Sequence, residues 1–226
     1  MQEEVERALA TLLRQNIPLT VAARTDAGVH AWGQVASYDG EPAPLTGLNA
    51  LLSEDVAALS CVEAPEGFDA RRDATSRAYC YRLLARPRRS ALWRGRALHW
   101  SHPVDFEALS QCAAALVGTH DFTAFTPTET EHLRFERDVY AAFWRAAADH
   151  AELLEFWIEA DAFMRRMNRV LVATMLEVSS GRRALSDFVR LLDGRPRSEA
   201  GVSAPAHGLY LAGVGYGGER LLASEA

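Results

Sequence analysis

The stretch Ala22-Ala23-Arg24-Thr25-Asp26-Ala27-Gly28-Val29-His30-Ala31-Trp32-Gly33-Gln34-Val35 decides how the first part of this chain is built. On one side of it, Leu19 to Ala23 is a short apolar run that reads as a buried strand. On the other, Val29 to Tyr38 reads as a second strand. Between them, Arg24 to Gly28 makes a tight polar turn, with Gly28 supplying a positive φ. An aspartate in such a turn commonly does no more than bind neighbouring backbone N–H groups. Here Arg24 stands two residues before Asp26, and an opposite charge within about 4–6 Å favours the ionised carboxylate. The sharper alternative is therefore a carboxylate projected from a strand-to-strand loop as a nucleophile or base.

Working outward, residues 2–15 carry Val5, Ala8, Leu9, Leu12 and Leu13 on one face of an amphipathic helix. No Ser, Thr, Asp or Asn stands where it could cap that helix, so its first N–H groups depend on water. Pro42 and Pro44 mark a loop, Leu45 to Leu52 a short helix, and Val56 to Val62 a strand. Ser76 to Ala85 is a strong strand that alternates Tyr79, Tyr81 and Leu83 with Ala78, Cys80 and Arg82. The basic loop Arg86-Pro87-Arg88-Arg89 follows, then a helix from about Asp105 to Leu116 and a polar connection over 118–136. Strands are expected at about 138–147 and 152–160. Phe163, Met167, Val170, Leu171, Thr174, Met175 and Val178 hold helical spacing over Phe163 to Val178. A further helix over 186–193 stops at Gly194, and Gly208 to Tyr216 closes the chain as a strand. Strands mixed with helices in both halves, without a repeat of solenoid period, predict an α+β fold: one mostly antiparallel sheet covered by helices.

The formal charge of −6 at first argues against a nucleic-acid partner, but its distribution argues for one. Arg71 to Arg96 holds nine arginines against one acid, and Phe163 to Arg197 eight against three. Glu129 to Asp161 reverses the sign, with nine acids against three arginines. Charge segregated in this way presents a basic face within an acidic total. Every basic residue is arginine, which suits phosphate forks and equally a GC-rich genome, so the clustering carries the argument. No run approaches the roughly 20 apolar residues of a membrane helix. Cys61, Cys80 and Cys112 are scattered thiols without a C-x-x-C pair, as expected of a reduced cytoplasmic protein. His99 and His102 are three apart, but no other ligand spacing supports a metal, and no glycine-rich loop points to a nucleotide cofactor.

The run Arg24-Thr25-Asp26-Ala27-Gly28-Val29-His30-Ala31, followed by Gly33-Gln34-Val35, resembles the signature of the bacterial tRNA pseudouridine synthase A family. Four further blocks follow in that family's order. They are Phe68-Asp69-Ala70-Arg71 with Ala74 to Arg82, Val117 to Phe125 around His120-Asp121-Phe122, Phe163 to Arg169, and Ala204-Pro205-Ala206-His207-Gly208-Leu209-Tyr210-Leu211. The resemblance spans nearly the whole chain. It implies a pseudouridine synthase fold of two ferredoxin-like halves, residues 1–100 and 101–226, sharing one continuous sheet. It further implies a cofactor-free isomerase that converts uridine to pseudouridine at positions 38, 39 and/or 40 of the tRNA anticodon arm, acting as a homodimer.

By the same resemblance Asp26 is the catalytic nucleophile and Arg24 the arginine that orients and ionises it. Tyr79 is the residue that stacks on the target base, and Arg169 an active-site arginine that binds substrate. Taken alone, Tyr79 could be a core aromatic on a strand face, the commoner fate of such a residue. Spacing places Arg165 beside Arg169 on one helix face, where Arg165 reads as solvated. Phe122 and Phe125 read as loop packing first and substrate contacts second.

Two features depart from the family's pattern. A strand and a Y-D-G…G-W-Q loop are expected before the helix at Gln2, so the chain reads as N-terminally shortened. The family's M-V-R-N-x-x-G becomes Met167-Asn168-Arg169-Val170-Leu171-Val172-Ala173, which affects helix packing more than chemistry. Two competing functions remain. One is a non-catalytic RNA-binding relative; the other is a glycosidase, which needs a second acid beside Asp26 that the sequence does not offer.

Overall fold

The computed structural model describes residues 1–129, 133–148 and 150–222. Its first elements are α1 (Gln2–Leu13), β1 (Thr20–Val21), β2 (His30–Ala31), β3 (Ala36–Ser37), α2 (Leu45–Leu51), β4 (Ala74–Ala85) and β5 (Leu98–Trp100). They are followed by α3 (Phe106–Ala114), β6 (Gly118–Asp121), β7 (Glu136–Ala147), β8 (His150–Ala160), α4 (Met167–Ser179), α5 (Leu185–Arg190) and β9 (Leu209–Tyr216). Contacts group the chain into one unit of Met1–Arg24 with Gln34–Ala74, and a second of Thr25–Gly33 with Thr75 onward. This cut by contacts differs in kind from the expected halves 1–100 and 101–226. No described helix is long and apolar enough to cross a membrane.

In the first unit the amphipathic face of α1 is buried as its spacing predicts. Ala8 and Leu9 pack with Ile17, Leu19, Ala43 and Leu48, and Val5, Leu12 and Leu13 flank them. The two apolar runs around the Asp26 turn shrink to short ladders. β1 and β3 pair antiparallel through only Thr20↔Ser37 and Val21↔Ala36. The Gln34 side chain explains part of the shortening: it donates to the Ala23 carbonyl at 2.7 Å and accepts from the Ala23 N–H at 3.3 Å. A side-chain amide thus replaces ladder bonds. Val56 to Val62, expected as a strand, forms none. Asn49 holds Ala58 through both its amide atoms, at 2.9 and 2.8 Å, and so satisfies the backbone locally.

The second unit contains a seven-stranded sheet in the order β2-β9-β4-β8-β7-β6, with β5 also paired to β4. It is mixed but mostly antiparallel: β4–β8, β7–β8 and β6–β7 are antiparallel, whereas β2–β9 and β4–β5 are parallel. With its helices, this is the expected α+β architecture. The register sets Tyr79 opposite Ile158 and Tyr81 opposite Phe156, while Cys80 faces Trp157 and Arg82 faces Glu155. Pleat alternation therefore gives the sheet one aromatic-apolar face and one face with charged groups. Helix α3 begins under an Asp105 cap that accepts from the Ala108 N–H at 3.0 Å, and it packs on α4 and β7. Phe122, Phe125, Met167, Leu171 and Phe188 are fully buried beneath these helices.

The helix expected from Phe163 starts at Met167. Arg166 has φ 62°, in the left-handed region, and a right-handed helix cannot pass through it. Arg165 therefore lies before α4 and does not share a helix face with Arg169. The expected connection over 118–136 contains strand β6, which pairs with β7 from Gly118↔Val139 to Asp121↔Glu136; its residues 130–132 lie outside the described ones.

Candidate active site

Asp26 sits at the head of the turn its sequence predicts: its carbonyl accepts from the Val29 N–H at 3.1 Å. Gly28 follows with φ +83°, and a Cβ there would already touch the Ala206 Cβ at 3.5 Å. Beyond the turn, β2 joins β9 through His30↔Tyr210 and Ala31↔Leu211, so the closing strand anchors the loop.

The ion partner of Asp26 is Arg169. Its Nη1 donates to Asp26 Oδ2 at 2.8 Å, with the two side chains 16% and 24% exposed. The same guanidinium donates through Nε to the Ala204 carbonyl at 2.7 Å, and the Ala204 N–H donates back to the Arg169 carbonyl at 3.0 Å. Three distant segments thus meet on one arginine: the Asp26 turn, the first turn of α4, and the run before β9. Charge-assisted bonds of this geometry fix a carboxylate's direction as well as its charge. Among the described residues the other oxygen, Oδ1, accepts no hydrogen bond. Arg24 is exposed and ends the opening segment of the first unit.

Tyr79 projects from β4 and is 6% exposed, its ring meeting Phe163 edge-on at 4.9 Å. Burial pushes its phenol up to about 12, opposed by Arg77 and reinforced by the negative charge of Asp26. Its hydroxyl is thus protonated near neutral pH. Tyr81, two residues on, donates to the Pro205 carbonyl at 2.9 Å and braces the segment that holds Arg169. Phe122 and Phe125 are wholly buried and pack on each other, and Phe125 also meets Phe188, as loop packing requires.

Sequence reasoning named Asp26, Tyr79 and Arg169 but paired Asp26 with its neighbour Arg24. No local spacing marks a pair 143 residues apart. It also passed over a cluster on the opposite sheet face. There Tyr210 lies between His30 at 4.7 Å and Trp32 at 4.5 Å, and the Arg82 guanidinium lies 4.7 Å from the Trp32 ring centre. Among the described residues no group of three or more His, Cys, Asp or Glu side chains is placed to hold a metal ion. His99 is hydrogen-bonded to the Arg86 carbonyl at 2.9 Å.

A carboxylate held by an arginine thus stands within electrostatic reach of a buried tyrosine at a mixed sheet. Residues 112–217 match a family model described as tRNA pseudouridine synthase. Similarity extends further among curated relatives. The chain is 35% identical to tRNA pseudouridine synthase A of Bacillus pumilus, over 96% of this chain and 89% of that one. It is 39% identical to that of Myxococcus xanthus, over 96% and 83%. It is 40% identical to that of Methylococcus capsulatus, over 100% and 84%. The chain belongs to the tRNA pseudouridine synthase A family and is, as such, an isomerase.

Proposed function

We propose that this isomerase converts uridine to pseudouridine at positions 38, 39 and/or 40 of the tRNA anticodon arm, with Asp26 as the catalytic group. The observation that carries the proposal is the Asp26–Arg169 pair, in which one carboxylate oxygen is held at 2.8 Å and the other is left open. The target uridine leaves its stack at a cost of a few kcal/mol. Asp26 Oδ1 then attacks C1′ and the N1–C1′ bond breaks, releasing uracil as an anion. Alternatively, Asp26 removes the C2′ proton to give a glycal. The detached ring turns and C5 bonds to C1′: on the first route this displaces Asp26, and on the glycal route Asp26 returns its proton to C2′. On either route the C5 proton then passes to water and N1 takes one up from water. No oxidant, reductant or external energy enters this balance. Tyr79 holds the loose uracil as a neutral phenol, and Arg24 orients the Asp26 loop from its N-terminal side.

The arginine-rich segments 71–96 and 163–197 supply phosphate contacts, so binding weakens steeply with salt. We assign the finer architecture of two ferredoxin-like halves, 1–100 and 101–226, sharing one sheet, and a homodimeric cytoplasmic protein. The exposed Trp32 and half-buried Trp157 on the charged sheet face favour a partner there. The deciding experiment is tritium release from C5-labelled anticodon-arm RNA. Asp26→Ala should abolish release while leaving most RNA binding. Release that persists in the variant refutes the role of Asp26, and a wild-type chain that binds without release is the non-catalytic relative.

A further inference from the structure

Of the eight arginines between Phe163 and Arg197, four are committed to carboxylates: Arg169 to Asp26, Arg183 to Glu177, Arg190 to Asp187 and Arg195 to Glu199. Among the described residues, Arg166 and Arg197 have no carboxylate partner, yet each lies within the other's field. Arg197 is half-buried, and burial together with the positive charge of Arg166 lowers its pKa from the ordinary arginine value. Arg197 Nη1 donates to the Ala200 carbonyl at 3.2 Å, and among the described residues no carboxylate offsets the like charge that it feels from Arg166.

The surroundings supply the rest of an anion site. The 3-10 turn Arg197–Glu199 packs against the 3-10 turn Thr123–Phe125. Beside them lies a cavity of about 360 Å³ whose lining includes Thr126, Thr128, Arg197 and Ser198. Among the described residues the hydroxyls of Thr128 and Ser198 have no other partner. Thr126 Oγ1 donates to the Arg165 carbonyl at 3.4 Å, tying the cavity wall to the segment that carries Arg166. Arg166 itself caps the N-terminus of the 13-residue helix α4, where free N–H groups and the helix dipole also favour an anion. Arg166 is three positions from Phe163, which touches Tyr79, and three from Arg169, which holds Asp26. At most about 11 Å of chain therefore lies between Arg166 and either group.

We propose that Arg166 and Arg197, with the Thr128 and Ser198 hydroxyls, form a subsite for one backbone phosphate of the RNA flanking the extruded nucleotide. Planar guanidinium forks and short hydroxyl donors match phosphate oxygens in geometry as well as charge. The subsite rests on the proposed reaction at Asp26, since it positions the nucleotide that reaches that carboxylate.

The test is the double variant Arg166→Gly/Arg197→Ala on C5-tritiated anticodon-arm RNA. Glycine takes a φ of 62° freely, so the helix start survives the change. KM should rise about tenfold or more with kcat nearly unchanged, and the log–log salt slope of binding should fall by about 1. Arg7→Ala, which removes an arginine already paired to Glu4 and outside both arginine-rich segments, should leave the slope unaltered. A second arm replaces single phosphates of the arm by neutral methylphosphonates. One replacement next to the modified uridine should weaken binding to the wild type but not further weaken binding to the double variant. Overturning results are an unchanged salt slope, or additive losses at every phosphate, in a variant that still releases tritium. Loss of release with binding intact in the variant overturns the subsite as well, whereas a wild-type chain that binds this RNA without release would strike at the Asp26 reaction.

Discussion

Arg169 and Asp26, 143 residues apart in the chain, meet at 2.8 Å, and the same guanidinium holds the Ala204 carbonyl at 2.7 Å. One side chain thus aims the carboxylate and fixes the segment leading into β9. Truncating it leaves two partly buried oxygens unpaired.

Arg169→Ala should therefore lower kcat by about 100-fold, the scale seen when a single oriented donor leaves a reacting centre. Arg169→Lys keeps the charge but cannot bridge both oxygens through one planar fork, so it should recover only part of the rate. Single-turnover tritium release separates this from binding. Equal rates for Lys and Arg would mean that charge alone matters and the geometry does not.

The helices and long strands were legible because burial repeats along them. Tyr79 and Tyr81 alternate with Cys80 and Arg82 on β4, and Val170, Leu171, Met175 and Val178 keep helical spacing on α4. What the sequence could not display was satisfaction by side chains. Gln34 and Asn49 take over backbone partners and cut short the strands expected around them. Nor does residue type reveal the left-handed φ of Arg166 that delays α4 to Met167.

The site shows the same division. Asp26 was legible because a turn carboxylate beside Gly28 is a local pattern. Arg169 was singled out only through family likeness. Its pairing with Asp26 was not, because the contact is made by sheet topology: β2 on β9 carries the Asp26 turn toward the run that ends at Ala204. Arg24 looked like the natural partner because sequence displays neighbours and hides folds.

Tyr79 gives a pH prediction. Its phenol ionises at about 12 in the folded chain against 10 for the ordinary group, so between those values the unfolded state holds fewer protons. Its contribution is fully present below pH 10 and is lost as pH rises toward 12, amounting to roughly 2–3 kcal/mol. Tyr79→Phe keeps the edge contact with Phe163 and should show that much less alkaline destabilisation in urea titrations at pH 9 and 12. Because the hydroxyl stays protonated at neutral pH, the rate profile of the wild type should show no tyrosine limb below pH 10. Identical alkaline stability curves for the two proteins would contradict the burial of this hydroxyl.

Gly208 is required by a close approach. A Cβ there would lie 2.6 Å from Tyr81 Cζ, in the ring whose hydroxyl binds the Pro205 carbonyl. Tyr81 is fully buried and cannot swing away. Gly208→Ala should cost about 1–3 kcal/mol, as overpacking of a tight core does. It should also displace the Ala204–Pro205 run and so loosen Arg169. Thermal unfolding and kcat should fall together, whereas a drop in melting temperature with kcat intact would uncouple the brace from the site.

Glu155 organises the other face of the sheet. Its Oε1 accepts from Arg82 Nε at 3.1 Å and lies 3.0 Å from Arg82 Nη2 in the ion pair, and its Oε2 accepts from Trp157 Nε1 at 3.0 Å and Arg145 Nε at 3.4 Å. The side chain is only 5% exposed, so the charge is tolerated because both oxygens are met. Removing it leaves Arg82 against the stacked Trp32 and Tyr210 rings with its charge uncompensated. Glu155→Gln should therefore destabilise by about 3 kcal/mol, read as a lowered urea midpoint with an unchanged slope. Adding Arg82→Met to Glu155→Leu replaces the opposed pair with apolar side chains of similar size and should recover most of that loss. Failure to recover would show that the stacking of Arg82 on the aromatic rings, and not its pairing with Glu155, holds this face together.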